Sequence, residues 1–115
     1  GKMASSKFPT SSSQSSRPLE LVHSDICGPF PTQWLLNLKY FINFIDDYTR
    51  FRILIFHKSK HQALATFQIY KALTEKQLNL QLRCLQSNGG GEIYTSNKFT
   101  NFCKDHGIKQ QISVS

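Results

Sequence analysis

One pair of apolar stretches, joined by a short polar turn, constrains the fold of this chain more than any other feature. Residues 40–45 and 52–56 are rich in aromatic and β-branched side chains, and Asp46-Asp47-Tyr48-Thr49 lies between them. Side chains of these types favour β-strands, and a connection this short allows only an antiparallel pair. The sequence therefore predicts a β-hairpin in the middle of the chain.

The rest of the chain alternates between extended and helical patterns. Residues 19–26 show alternating apolar positions that stop at the turn signal Cys27-Gly28-Pro29. Residues 60–77 contain neither glycine nor proline, and their apolar side chains recur at helical spacing. The remaining predicted elements are a strand at 80–85, a helix at 96–106 and a strand at 108–114. The order β-β-β-α-β-α-β predicts one α/β domain at 19–115, preceded by a serine-rich linker at 1–18.

Composition narrows the classes of function that remain. The chain has 115 residues, with 14 Lys and Arg against 7 Asp and Glu, and a formal net charge of +7. The charge favours a polyanionic partner such as nucleic acid, with improved solubility as the simpler explanation. Three widely spaced cysteines, without a Cys-x-x-Cys pair, indicate reduced thiols, not a disulfide framework or a complete zinc site. No apolar run is long enough to cross a membrane.

The predicted topology brings two distant residues together. Strands one to three form a meander, and a right-handed crossover through the first helix leads to strand four. If strand four takes the free side of strand one, the strand order is 3-2-1-4-5, and a crevice opens at the carboxyl ends of strands one and four. Asp25 lies near the first of these ends, and Asn88 lies just past the second, followed by the glycines at 89–91. We therefore expect Asp25 and Asn88 to be neighbours at a ligand-binding crevice.

Several segments resemble the catalytic core of copia-type retrotransposon integrases. They are LELVHSDICGPF at 19–30, YF at 40–41, FIDDYTR at 44–50, KSK at 58–60, EKQ at 75–77, GGE at 90–92, FTNFC at 99–103 and GI at 107–108. The resemblance runs through 19–115 in one register. It implies an RNase H-like fold, in which a five-stranded mixed sheet is flanked by helices. It also implies a polynucleotidyl transferase or endonuclease that uses two Mg²⁺ or Mn²⁺ ions.

The resemblance assigns catalytic positions to this chain. The family's catalytic set is Asp, Asp and Glu; the first falls on Asp25, as a metal ligand, and the second falls on Asn88. The third lies beyond Ser115, on a helix that this chain lacks. By the same resemblance, the linker at 1–18 follows a zinc-binding region that has been removed, so that the chain is a fragment of a polyprotein. The implied partners are retroelement cDNA ends and target DNA. The implied location is the nucleus or the cytoplasm, and the resemblance is compatible with a homo-oligomer.

These assignments lead to one expectation about activity and leave two alternatives open. Asn88 has no negative charge to offset a divalent cation, so we expect metal binding to be weak or absent and the chain to be inactive. The first alternative is a non-catalytic basic remnant that binds nucleic acid. Its predicted contacts are Lys39, Lys58, Lys60, Lys71 and Lys76. The second alternative is an active nuclease within a longer natural chain.

Other polar residues are assigned lesser roles. Asp46 and Asp47 are expected to close the hairpin turn at a strand length, roughly 20 Å, from Asp25. His23 is a secondary candidate for the active site, and Glu92 is expected on a loop surface.

Overall fold

Five strands form one mixed sheet in the computed structural model, which describes residues 15–30, 38–88 and 92–113. In chain order, the elements are β1 (Val22–Cys27), β2 (Tyr40–Asp46), β3 (Arg52–His57), a short 3₁₀ helix (Lys60–Gln62), α1 (Ala63–Leu78), β4 (Cys84–Asn88), α2 (Glu92–Thr95), α3 (Asn97–Asp105) and β5 (Lys109–Ser113).

The strand order in the sheet is β3-β2-β1-β4-β5. β1 pairs antiparallel with β2 and parallel with β4, and β4 pairs parallel with β5. The predicted order 3-2-1-4-5 is therefore confirmed. The hairpin and the rule of right-handed crossovers predict it once strand four is placed on the free side of strand one.

The core lies between one face of the sheet and the helices. Phe67 of α1 is fully buried and stacks on Phe99 of α3, with ring centroids 5.4 Å apart. Phe67 also contacts Phe44 of β2, at 6.0 Å between centroids. α1 and α3 therefore cover the same face of the sheet. The opposite face carries His23, Asp25 and Asn43, and these side chains are partly exposed.

One predicted strand is displaced along the chain, and one observed helix was not predicted. The fourth strand was predicted at 80–85 and is observed at Cys84–Asn88. Leu82 is 1% exposed and packs in the core, but it precedes the strand, because its backbone N–H donates to the Glu75 carboxylate at 2.7 Å instead of to a neighbouring strand. The helix at Glu92–Thr95 was not predicted, because four residues are too few to show a helical period.

The end of the predicted linker is attached to the hairpin. Both the backbone N–H and the hydroxyl of Ser15 donate to Asp47 Oδ2, at 3.2 and 2.7 Å. The N–H of Leu19, a core residue, donates to Asp46 Oδ1 at 2.6 Å. Residues 1–14 of the predicted linker and the glycines at 89–91 lie outside the described residues.

Candidate functional site

Asp25 and Asn88 each follow directly after the last paired residues of two neighbouring strands. β1 and β4 pair in register from Val22 with Leu85 to Ser24 with Ser87. One residue further along this parallel register are Asp25, in β1, and Asn88, the last residue of β4. The topology therefore places the predicted catalytic positions next to each other. Their catalytic roles remain predictions.

Asp25 opens onto a cavity of about 300 Å³ on the sheet face that faces away from the helices. The cavity is lined by residues from β1, β2 and β4 together with one arginine of the hairpin turn. They are His23, Ser24, Asp25, Asn43, Ile45, Arg50 and Gln86. Most of these side chains offer hydrogen-bonding atoms, so the cavity suits a polar or charged ligand.

Asn43 is the residue directly opposite Asp25 on the neighbouring strand. Its Oδ1 atom is buried and has no hydrogen-bond partner among the described residues. Buried acceptors without a partner are uncommon, and a bound ion or water often accounts for them. The sequence gives no signal for Asn43, because its position opposite Asp25 depends on the register of the hairpin.

His23 is held by a buried carboxylate. Its Nε2 atom lies 2.8 Å from Oδ1 of Asp47, whose side chain is 0% exposed, whereas the His23 side chain is 32% exposed. The same carboxylate is 4.0 Å from Nη1 of Arg50. Asp47 therefore orients two side chains that line the cavity beside Asp25.

The two aspartates of the hairpin lie closer to Asp25 than the sequence predicted. Asp46 pairs with Val22, which is three residues from Asp25, so the separation along the strand is about 10 Å at 3.3 Å per residue. The predicted distance of roughly 20 Å was wrong, because Asp25 lies within β1, only three residues from the Val22 that pairs with Asp46. Asp46 does close the turn, since its Oδ2 accepts the N–H of Thr49 at 2.8 Å.

Tyr94 contacts the strand that carries Asp25 from the core side of the sheet. The hydroxyl of Tyr94, on α2, lies 2.7 Å from the hydroxyl of Ser24, and both side chains are buried. Burial raises the pKa of the Tyr94 phenol, which therefore stays protonated at neutral pH.

The pKa of the Cys27 thiol is also raised, chiefly by burial and in second place by the negative charge of Asp25. Cys27 is accordingly a protonated neighbour of the site.

The predicted nucleic-acid contacts fall into two groups. Three of the lysines lie at the end of the sheet where β2 begins and where β1 and β3 end. They are Lys39, Lys58 and Lys60. Lys71 and Lys76 lie in the second half of α1, which leads back to the opposite edge. Lys71 also forms an ion pair of 2.9 Å with Glu75. The structure thus brings three of the five lysines to the edge near Asp25.

Comparison with known proteins identifies the family. The Integrase core domain family matches residues 15–115. The chain belongs to this family. The Retrovirus-related Pol polyprotein from transposon TNT 1-94 of Nicotiana tabacum is 40% identical over 114 residues, which are 99% of this chain and 8% of that protein. The polyprotein from transposon RE2 of Arabidopsis thaliana is 35% identical over 101 residues, which are 88% of this chain and 7% of that protein. This integrase core therefore spans less than a tenth of the length of these relatives.

Solved integrase structures share the fold. A chain of the simian T-cell lymphotropic virus intasome in complex with PP2A regulatory subunit B56 gamma superposes with a TM-score of 0.60 at 14% identity, covering 84% of this chain and 32% of that chain. The HTLV-2 integrase catalytic core domain in complex with magnesium, in its dimeric form, superposes with a TM-score of 0.57 at 15% identity, covering 85% of this chain and 62% of that chain. These structures confirm the predicted RNase H-like fold.

The divalent cations that the family implies require several oxygen ligands. Among the described residues, no three His, Cys, Asp or Glu side chains converge on a common point. Asp25 provides a carboxylate and Asn43 an unpartnered amide oxygen on the same cavity. One carboxylate and one buried amide oxygen fall short of the oxygen ligands that these ions need.

No helix in the described part of the chain is long and apolar enough to span a membrane.

Proposed function

We propose that this integrase core belongs to a copia-type retrotransposon polyprotein and descends from an enzyme that joins DNA ends with the help of metal ions, but that the chain as it stands does not catalyse this reaction. The observation that carries the proposal is the position of Asn88 directly after Ser87, which pairs with Ser24, the neighbour of Asp25. An amide stands where the family has its second carboxylate.

The chemistry of strand transfer explains why this replacement matters. An in-line displacement at phosphorus needs two metal ions that stabilise the attacking and the leaving oxygen. Each divalent ion is held chiefly by anionic oxygens, so carboxylates at the catalytic positions would hold the ions and offset part of their charge. Asp25 supplies one carboxylate to the cavity, and the amide of an asparagine is neutral at any pH at which the protein folds.

DNA is the proposed partner of this core. The formal net charge is +7, and Lys39, Lys58 and Lys60 lie at the edge of the sheet near Asp25. The ammonium group of Lys60 is 6.0 Å from the centroid of the Tyr40 ring, which places its charge over the start of β2. A phosphate backbone that followed this edge would pass the cavity. The proposed setting is the nucleus or the cytoplasm, with self-association as in the oligomeric integrase whose core shares the fold.

A second candidate function is DNA binding without catalysis. It is favoured by the same three lysines, because their position does not depend on a complete catalytic set. Both candidates predict DNA binding, and they differ in whether a repaired catalytic set restores turnover.

The deciding experiment compares three proteins on labelled DNA ends with Mn²⁺. They are the unmodified chain, Asn88→Asp, and Asn88→Asp extended by the residues that follow the match in the tobacco relative. We expect strand transfer from the third protein alone. Metal-dependent turnover by the unmodified chain would refute the loss of catalysis. Inactivity of all three proteins, with DNA binding retained, would favour the non-catalytic candidate.

A further inference from the structure

We propose that the open edge of β3 binds an extended segment of another protein, in which two acidic side chains flank two apolar ones at every second position. The bound segment would add a strand to the five-stranded sheet. This edge is separate from the cavity at Asp25, and the inference depends neither on metal binding nor on catalysis.

The backbone of β3 presents hydrogen-bonding groups along this edge. β3 is the last strand on its side of the sheet, and in the described part of the chain it pairs with β2 alone. The N–H of Asp46 donates to the carbonyl of Phe51 at 3.0 Å, so these two residues form the hydrogen-bonded pair next to the turn. Such pairs alternate with non-hydrogen-bonded pairs along an antiparallel ladder, and Arg52 and Leu54 fall in the latter. The N–H and C=O groups of Arg52 and Leu54 therefore point away from β2.

The side chains along the same edge alternate in a pattern of charged and apolar groups. Arg52, Leu54 and Phe56 lie on the sheet face away from the helices, whereas the residues between them pack toward the core. Leu54 is 48% exposed and Phe56 is 43% exposed, although both are large apolar side chains. Lys58, which is exposed, follows two positions later, just past the end of the strand. The edge thus presents a basic, two apolar and a basic residue in steps of about 6.6 Å.

The charges of this pattern determine which occupant fits. The segment at 50–60 contains four Lys and Arg residues and no acidic residue. A second copy of β3, paired antiparallel over the full length of the pattern, would set Arg52 opposite Lys58, and like charges directly opposite each other are destabilising. This chain has no complementary segment either, because none of its seven acidic residues has another acidic residue six positions away. The occupant that fits is therefore another protein with the alternate pattern acidic, apolar, apolar, acidic.

Strand addition at this edge supplies affinity and specificity through different groups. Main-chain hydrogen bonds to Arg52 and Leu54 can form with any sequence, whereas the alternate side chains of the added strand select the partner. Apolar side chains of the partner would cover Leu54 and Phe56, and its acidic side chains would pair with Arg52 and Lys58. Because these charges are exposed, salt screens the ion pairs and leaves the apolar contacts in place.

The test uses the full chain of 115 residues, labelled with ¹⁵N, and two synthetic peptides of identical composition. The first, Glu-Thr-Val-Thr-Ile-Thr-Glu, has the required alternation, and the second, Thr-Glu-Glu-Val-Ile-Thr-Thr, does not. Fluorescence anisotropy with labelled peptide measures the affinity, and hydrogen exchange of the protein amides locates the contact. We expect the first peptide alone to bind, and we expect it to slow exchange at the amides of residues 52 and 54.

One variant tests the backbone contribution. Leu54→Pro removes an N–H that points away from β2 and leaves the hydrogen bonds between β2 and β3 in place, so it should weaken peptide binding about fivefold or more. The matched control is Leu54→Val, which keeps the N–H and most of the apolar surface and should bind nearly as well as the unmodified chain.

A second variant tests the charge contribution. Arg52→Glu sets two like charges beside each other in the complex, so it should weaken binding about threefold or more. Arg83→Glu makes the same change in net charge at an exposed position before β4, which two strands separate from β3, and should leave binding unchanged. A peptide with Lys at one end and Glu at the other should bind to Arg52→Glu better than to the unmodified chain.

Three results would overturn the inference. Equal binding of the two peptides, or equal effects of Arg52→Glu and Arg83→Glu, would show that net charge alone attracts acidic peptides. Protection of amides 52 and 54 that rises with protein concentration in the absence of peptide would assign the edge to a second copy. Protection of the same amides by DNA would assign it to nucleic acid. The dispersion of the amide spectrum shows whether each variant is folded, and should Leu54→Pro fail to fold, Arg52→Glu and its matched peptide decide the question.

Discussion

The hydroxyl groups of Ser24 and Tyr94 lie 2.7 Å apart in the core, and this contact joins the strand of Asp25 to the helix that follows Asn88. Ser24 precedes Asp25, and Tyr94 lies on α2, so the contact links the two chain segments on which the candidate site is built. Because both side chains are buried, the contact has no water to replace it when one hydroxyl is removed.

Tyr94→Phe should therefore destabilise the domain. It removes one hydroxyl and leaves that of Ser24 buried without its partner, a change that costs about 1–3 kcal/mol of unfolding free energy. Chemical denaturation followed by circular dichroism measures the loss. Tyr48→Phe is the matched control, because Tyr48 is 53% exposed and the loss of its hydroxyl should cost less than about 0.5 kcal/mol. Equal effects of the two substitutions would show that the buried contact is not important for stability.

Asp47→Asn should also destabilise the domain, by about 1–3 kcal/mol. The carboxylate accepts hydrogen bonds from Ser15 and His23 while fully buried, and an amide would turn an N–H₂ group toward donors. Asp105→Asn, at an exposed position near the end of α3, is the control for the loss of one negative charge. If both variants unfold at the same denaturant concentration as the unmodified chain, Asp47 does not fasten the N-terminal segment to the hairpin.

Acidification should destabilise the domain through His57. This residue is 3% exposed, its Nε2 lies 2.6 Å from the Thr66 hydroxyl, and burial lowers the pKa of its ring below the ordinary 6.5. Below pH 6.5 the unfolded chain binds a proton at His57 that the folded chain does not, so unfolding becomes more favourable until the pH reaches the lowered pKa. The slope in this window is at most about 1.4 kcal/mol per pH unit.

Unfolding free energies measured from pH 7.5 to pH 5 check this expectation. His57→Gln should flatten the dependence at some cost in stability at neutral pH, whereas His61→Gln, at an exposed position, should leave the slope unchanged. A slope that persists in His57→Gln would assign the acid sensitivity to other groups.

DNA binding should depend on the lysines at the edge of the sheet near Asp25. Replacing Lys39, Lys58 and Lys60 together by Gln should weaken binding to any DNA sequence and reduce the salt slope by about one for each phosphate that the protein no longer neutralises. Fluorescence anisotropy with labelled DNA at several NaCl concentrations measures both quantities. The control removes the same charge from three exposed lysines on and after α3, namely Lys98, Lys104 and Lys109. If both triple variants weaken binding equally, binding follows net charge and not this surface.

The strand order could be predicted because most steps obeyed a local rule. A short turn predicts an antiparallel hairpin, and a helix between two strands predicts a right-handed crossover to a parallel strand. The side of β1 on which β4 pairs does not follow from these rules and was assumed. The start of β4 could not be predicted in the same way, since Leu82 is apolar and buried although it lies before the strand. Its side chain obeys the same packing rule as a strand residue, and the difference lies in a backbone hydrogen bond to Glu75 that the sequence does not reveal.

The candidate site was predictable in part for a related reason. Asp25 and Asn88 follow from topology, because parallel strands end at the same edge of a sheet. The positions of Asn43 and Asp47 follow from register, and a shift of one residue in the hairpin would turn both side chains to the other face. Both residues are visible in the sequence, but the register that places them beside Asp25 could not be read from the sequence alone.

Asn88→Asp alone should tighten the binding of Mn²⁺ without creating a strand-transfer enzyme. The substitution returns a negative charge to the position next to Asp25 in the parallel register of β1 and β4. Because hard cations are bound chiefly by anionic oxygens, a second carboxylate should lower the half-saturating Mn²⁺ concentration by about tenfold or more, the scale on which single groups around a metal act. Strand transfer needs two ions held on either side of the reacting phosphate, and two carboxylates hold the second ion poorly.

The measurement pairs a Mn²⁺ titration with an assay on labelled DNA ends. The control is Asn101→Asp, which adds the same charge at an exposed position of α3. Turnover by Asn88→Asp would show that two carboxylates suffice. An unchanged Mn²⁺ affinity would show that residue 88 does not face the metal.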